Sequence, residues 1–225
     1  MDEEEITGLD DQATVTPRSS RTRERYARIL SSATELFLKG GYAETSMDAI
    51  LELSGGSKET LYRYFPTKAD LFRAVIDAVV SNRSQPKFDV HQDVRTTLIE
   101  YCVQRLVEIF SAEHLALLRV VIGESQKFPE LGQMYHERAP KHSRQLLAEY
   151  LDTLSEQRSL ILDDAEEASQ FLVGMLVHEW FIDCLLLGAV LPSEGAMRQR
   201  TERAVDLFLT AYQHGASDLL RHGGN

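Results

Sequence analysis

Lys58, Glu59, Thr60, Tyr62, Arg63 and Tyr64 fall within seven residues, and their side chains are of the kinds that meet the edges and backbone of a nucleic-acid duplex. Arg63 could donate two hydrogen bonds to guanine O6 and N7, and Glu59 could accept from cytosine N4. Tyr62 offers a ring edge for a thymine methyl group together with a hydroxyl. Lys58, Thr60, Tyr64 and Lys68 suit phosphate oxygens. On a helix, Lys58 and Tyr62 share a face, as do Glu59 and Arg63, while Leu61 and Phe65, four apart, form an apolar anchor on another. The competing reading of Tyr62 and Tyr64 is partial core packing. Against it stands the anchor itself, because Leu61 and Phe65 already fill the buried positions.

Such a row of side chains needs a short, rigid mount. Ser57 can cap a helix over 58–64, which Pro66 closes through its effect on the residue before it. Ahead of it, Ser54-Gly55-Gly56 favours a break, and Thr45-Ser46-Met47-Asp48 has the form of a capping box that starts another short helix, ending near Leu53. Two short helices joined by a glycine-containing turn have helix-turn-helix spacing, in which the second helix is presented to the major groove. Thr45 and Lys68 lie at helix starts, where free amides and the helix dipole favour a phosphate. Ser46 and Ser57 belong to the same group of residues near the duplex.

The net charge of -11 argues against nucleic acid only if it is evenly spread. It is not: residues 1–17 carry -6, residues 18–70 carry +2 and residues 71–225 carry -7. Arg18, Arg21, Arg23, Arg25 and Arg28 crowd into eleven residues at the start of the basic segment. They make a phosphate-binding pattern, or else a solvated helix face.

Sustained apolar/polar alternation is absent, and apolar residues recur at spacings of three and four, so the chain is expected to be all-α. Residues 1–17 read as a mobile acidic tail. A first helix over 22–38, stopped by Gly40-Gly41, precedes the two short ones. A fourth follows the capping box Thr67-Lys68-Ala69-Asp70. Further helices are expected over 89–111, 113–126, a short piece bracketed by Pro129 and Pro140, 142–157, 164–188 and 194–213. The expected division is therefore a tail (1–17), a helix-turn-helix domain (18–70) and a larger helical domain (71–225).

The stretch from Arg23 to Phe72 resembles the tetracycline-repressor (TetR/AcrR) family of bacterial regulators. The residues that carry the resemblance are Ala33-Thr34-Glu35-Leu36-Phe37, Gly41-Tyr42, Thr45-Ser46-Met47-Asp48-Ala49-Ile50, and Ser57 through Phe65 with Lys68 and Leu71-Phe72. The resemblance implies a homodimer on a palindromic stretch of double-stranded DNA, usually as a repressor, with contacts from the residues named above. Glu59 stands where many relatives have glycine, so base preference there does not transfer. Phe128-Pro129-Glu130-Leu131 through Tyr135, with 138–150, is similar to the C-terminal domain of AefR-type relatives, which implies a dimer interface and an internal cavity for a small-molecule effector.

The residues of the larger half allow both roles. Phe171 to Ile182 is apolar around almost its whole circumference, so this helix must be covered on several sides. With the last helix it offers Trp180, Leu185, Ala204, Leu207, Phe208 and Ala211 for an isologous four-helix interface, burial within one chain being the competing reading. Polar groups set in apolar runs mark a cavity: Tyr101, Cys102, Arg119 with Ile122, Met134, Tyr135, Met175, His178 and Phe181.

Other classes are disfavoured. His178-Glu179 is followed by Ile182 where a zinc protease has its second histidine, and no G-x-S-x-G, Walker loop or G-x-G-x-x-G occurs. The seven histidines and two cysteines form no metal-ligand spacing, so neither a metal nor a cofactor is expected. His178, Glu179 and Asp183 interrupt the most apolar stretch, which is read as no membrane span, and the acidic start is unlike a signal peptide. A cytoplasmic, ligand-responsive regulator is expected. The alternatives are an activator or ligand-independent regulator of the same fold and, more remotely, an all-α enzyme.

Overall fold

The computed structural model describes residues 20–81, 88, 92–188 and 190–213. The expected acidic tail and Arg18 lie outside this set. Among the described residues every regular element is helical. The order is α1 (Ser20–Glu44), α2 (Met47–Ser54), α3 (Lys58–Tyr64), α4 (Lys68–Ser81), α5 (Val94–Ile109), α6 (Ala112–Glu124), α7 (Pro129–His136), α8 (His142–Glu156), α9 (Ala165–Ile182) and α10 (Glu194–Gln213).

Short polar side chains set most of the helix starts. Ser46, Ser57, Asp93, Ser111 and Asp164 each accept the amide three residues on, satisfying one of the donors that a helix N-terminus leaves open. At α4 the expected box forms in full: the Asp70 carboxylate accepts from the Thr67 amide and hydroxyl, and the Asp70 amide donates back to Thr67 Oγ1. Gly41 breaks α1 near its end with φ +82°, a backbone state that L side chains rarely adopt.

Two π turns depart from expectation. Residues 137–141 and 183–187 each widen a helix that then continues or ends. Pro140 was expected to close the piece begun at Pro129. Instead it sits inside the first π turn, so that α7, the turn and α8 run on without a gap. A proline has no amide to donate and its ring clashes with the carbonyl four residues back; a π turn relieves both demands locally.

Two cores hold the molecule. One gathers Ile29, Ala33 and Phe37 of α1, Ile50, Leu61, Phe65, and Leu71, Phe72, Ala74, Val75 and Ile76 of α4, and it also takes Leu117, Val121 and Leu131 from α6 and α7. The other packs α5 and α8–α10 around Leu98, Leu106, Leu151, Leu172 and Phe208. Two forked ion pairs pin α5 to α10: Arg95 to Asp206 at 2.6 and 3.0 Å, and Arg198 to Glu100 at 2.9 and 3.3 Å.

Residues 165–187 are, by length and composition alone, long and apolar enough to cross a membrane, which the interrupting charges had led us not to expect. The segment is instead divided by face. Ser169, Leu172, Leu176 and Cys184 are buried in the second core, while Phe171, Met175, Ile182, Leu186 and Leu187 point outward.

Candidate nucleic-acid interface and buried cavity

The helix-turn-helix is built around its turn. Gly55 and Gly56 have φ of +70° and +93°, and the Arg25 guanidinium from α1 donates to the carbonyls of Ser54 (3.1 Å) and Gly55. A side chain at Gly56 would collide with that guanidinium. Arg25, one of the five clustered arginines, therefore clasps the turn from within the chain.

Beyond the turn, α3 is fixed by Leu61 and Phe65, both fully buried. Full burial of such side chains contributes roughly 1.5–3 kcal/mol each. Lys58, Glu59, Tyr62 and Arg63 stand on the exposed side, as expected from their spacing. Lys58 forms a surface ion pair with Asp48 of α2 at 3.0 Å, which holds its ammonium pKa above the usual lysine range, and its Nζ lies 5.9 Å from the Tyr62 ring. Ser57 Oγ lies 2.9 Å from Thr60 Oγ1 and accepts the Thr60 amide, so both hydroxyls are engaged in the cap.

Three residues of the expected phosphate-facing set are placed differently. Thr45 is not the cap of α2; Ser46 is, accepting from the Ala49 amide at 3.1 Å. Thr45 is buried and its hydroxyl lies within hydrogen-bond distance of the carbonyls of Gly41 (2.8 Å) and Leu36 (3.2 Å), facing the end of α1 and not a phosphate. Lys68 points the same way: its ammonium donates to the carbonyls of Tyr42, Ala43 and Thr45 at 2.8, 3.3 and 3.0 Å, using all three protons. Burial pushes its pKa down. Tyr64 is also buried, edge-on to Tyr26 with ring centroids 5.8 Å apart.

The second site is a cavity of about 250 Å³ in the larger half. Of the nine residues expected there it brings together Tyr101, Cys102, Tyr135 and Phe181. Burial raises the pKa of Tyr101 and of the Cys102 thiol to about 12, so both are neutral. The other five lie elsewhere. Arg119 reaches from α6 to the Cys184 carbonyl at 2.5 Å, where the second π turn presents it. Ile122, Met175 and His178 are exposed, and Met134 packs against the first core. Met175 and His178 fall on the outward stripe of α9 with Phe171, Ile182 and Leu186, at helical spacings.

Arg105, Glu108, His114, Ser143 and Arg144 also line the cavity, and the sequence reading missed them. Arg105 and Glu108 form a buried ion pair one turn apart on α5. His114 Nε2 and the Tyr135 hydroxyl are 2.7 Å apart, and burial, with Arg105 nearby, lowers the His114 pKa to about 4. Two charged residues three apart in the run from Tyr101 to Phe110, otherwise apolar but for Gln104, were the available signal, although on most helices such a pair faces water.

The outward face also revises the expected interface. Ala204 and Phe208 are buried inside their own chain against α5 and α9, and Trp180 is half-buried under the Arg200 guanidinium, 4.6 Å from its ring. Leu185 and Ala211 are half-buried, and Leu207 is two-thirds exposed.

With this geometry in place, comparison with known proteins gives the class. Residues 29–75 match the family "Bacterial regulatory proteins, tetR family", and residues 96–214 match "AefR-like transcriptional repressor, C-terminal domain". The chain belongs to the TetR family: it is a DNA-binding transcriptional regulator and not an enzyme. It is 29% identical over 171 residues to the HTH-type transcriptional regulator YvkB of Bacillus subtilis, covering 72% of this chain and 83% of that one. Over 74 residues, about a third of each chain, it is 38% identical to the transcriptional activator FasR of Mycolicibacterium smegmatis. Among solved structures, the flavonoid-responsive regulator FrrA is 30% identical, with a TM-score of 0.75 over 85% of this chain and 98% of that one.

Proposed function

We propose that this protein is a cytoplasmic, ligand-responsive repressor. A homodimer places its two α3 helices in successive major grooves of a palindromic operator, and a small molecule in the cavity releases it. The observation that carries the reading is the split of α3: Leu61 and Phe65 lock one side into the core while Lys58, Glu59, Tyr62 and Arg63 stand free on the other. Arg63 and Glu59 suit base edges, Tyr62 a thymine methyl, and Lys58 a phosphate that displaces Asp48. Ser46, Ser57 and Thr60 supply helix-start groups beside the backbone. Residues 18–70 form the DNA-binding part and 71–225 the effector and dimer part.

The outward stripe of α9 supports a second copy as its cover. Phe171, Ile182 and Leu186 are each close to or more than half exposed, as is Leu207 on α10, and exposed apolar side chains repeated along one helix face mark an association site. Two such faces related by a two-fold axis meet isologously. The flavonoid response in the name of FrrA supports a small organic effector here. The effector shifts the dimer toward a form in which the two α3 helices no longer match grooves ~34–36 Å apart.

The name of FasR favours one other reading, activation from the same fold. A mobility-shift titration on DNA flanking the protein's own gene tests the core proposal, which expects a salt-sensitive specific shift and falls if none of those fragments gives one. A reporter under that promoter then fixes the sign, since repression predicts that expression rises on deletion of the regulator.

A further inference from the structure

Side chains that line the cavity carry, just behind its wall, hydrogen-bonding capacity that the protein does not use and that small side-chain rotations would bring to a ligand. Arg105 and Glu108 pair through one nitrogen and one oxygen, and Arg105 Nη1 makes a long contact of 3.4 Å to Ser143 Oγ. Arg105 Nε, Glu108 Oε1 and Arg144 Nε remain buried with no partner among the described residues. The Glu108 side chain keeps only 9% of its exposure. Buried polar atoms without partners are rare and costly, and in a cavity they mark where a ligand's polar atoms belong.

The neighbouring polar groups are already committed. The Tyr101 hydroxyl donates to the Ser143 carbonyl at 2.9 Å, and His114 and Tyr135 satisfy each other. What is left is two donors and one acceptor. The charged groups facing the space are Arg105, Arg144 and Glu108, so the wall is one positive charge in excess. Around this polar end the lining is apolar, and Tyr101, Tyr135 and Phe181 bring aromatic rings to it. A volume of about 250 Å³ falls below the ~300–1,000 Å³ of drug-sized sites, which limits the occupant to one or two rings.

We propose that the effector is an aryl compound carrying both a hydroxyl and a carbonyl or carboxylate group, neutral or singly negative. Its hydroxyl donates to Glu108 Oε1, and its carbonyl or carboxylate oxygen accepts from Arg105 Nε and Arg144 Nε. The ring fills the aromatic part of the cavity. This rests on the effector reading above and names its chemistry. A cation is disfavoured by the two arginines, and a plain hydrocarbon would leave three buried polar atoms unpartnered.

The test uses the full-length protein and four probes: salicylate, 2-hydroxyacetophenone, benzoate and benzyltrimethylammonium. Dissociation constants are read by calorimetry, and release by the mobility shift. Both hydroxylated probes are expected to bind at least tenfold tighter than benzoate and to weaken the DNA complex, with no binding of the cation. The double variant Arg105→Met/Glu108→Leu, checked for folding by circular dichroism, should bind salicylate and benzoate equally. Glu108→Gln, which keeps size and removes the charge, should narrow their ratio several-fold. Equal binding of salicylate and benzoate by the unmodified protein, preference for the cation, or an unchanged ratio in both variants overturns the proposed chemistry. So does failure of all four probes to bind. In each of those cases, release of DNA by some other small molecule leaves the effector reading standing. Absence of any specific DNA complex would instead strike that reading directly.

Discussion

His114 is a titratable group placed where water cannot easily reach it. Its ring nitrogen lies 2.7 Å from the Tyr135 hydroxyl, and burial, with Arg105 adding to it, keeps the imidazole neutral down to about pH 4. In the unfolded chain it takes up a proton near ~6.5. Between those values the unfolded state binds more protons than the folded one, so stability rises with pH there and is lost as pH falls from about 6.5 toward 4. Thermal melts of His114→Gln are therefore expected to show a shallower acid limb than the unmodified protein over that window; parallel curves would refute the coupling. On α3, Arg63→Ala should cost about 1–3 kcal/mol of operator binding and relax preference at one base pair. Lys58→Ala should weaken binding across sequences and reduce the salt slope by about 1. Titrations at several salt concentrations separate the two. The outward set on α3 was legible because helical spacing alone decides which side Leu61 occupies. The placement of Thr45 and Lys68 was not, since both bond backbone carbonyls around the end of α1, contacts set by how the chain turns after Gly41 and not by residue type.

At the scale of elements, the turn between α2 and α3 depends on a residue thirty positions away. Gly56→Ala puts a methyl group at φ +93° and into the Arg25 guanidinium, and such a change at positive φ costs more than ~1 kcal/mol. The expected result is a melting temperature lower by at least a few degrees, with weaker operator binding; an unchanged melt would mean the clasp carries no weight. Helix positions were largely readable because Ser57, the Thr67–Asp70 box and Asp164 are local signals with local effects, whereas Ser111, expected to end a helix, caps the next one. Pro140 misled because its usual consequence, a stop, was replaced by a π turn that depends on what α7 and α8 pack against.

For the whole molecule, the sequence established that α9 is apolar nearly all round but not which side faces outward. That assignment follows from the long-range pairing of α5 with α10, which buries Ala204 and Phe208 within the chain and leaves Phe171, Ile182 and Leu186 on the surface. Leu186→Glu combined with Phe171→Glu should convert a dimer to a monomer in light scattering and abolish tight operator binding while leaving the helical circular-dichroism signal intact. A dimer that survives both charges would place the interface elsewhere. The cavity follows the same logic: Tyr101 and Phe181 could be anticipated as polar or aromatic groups in apolar runs, but Arg105 and Glu108 are inside only because α8 and α9 close over α5.

Besides the shared first core, polar contacts join the two halves. The Glu124 carboxylate at the end of α6 accepts the Ala43 amide at 2.9 Å, beside the positive-φ Gly41 where a β-carbon would lie 2.9 Å from the same oxygen. Val80 of α4 lines the cavity, and Arg138 in the first π turn holds Asp77 of α4 at 3.0 Å. The α1–α4 unit is thus fixed to the body by a shared core and by polar contacts at α1 and at α4 rather than hung from it by a swivel. In the proposed dimer, a displacement that loosens only one of those contacts is expected to tilt α3, which would turn a small shift beside the cavity into a change of spacing between the two copies.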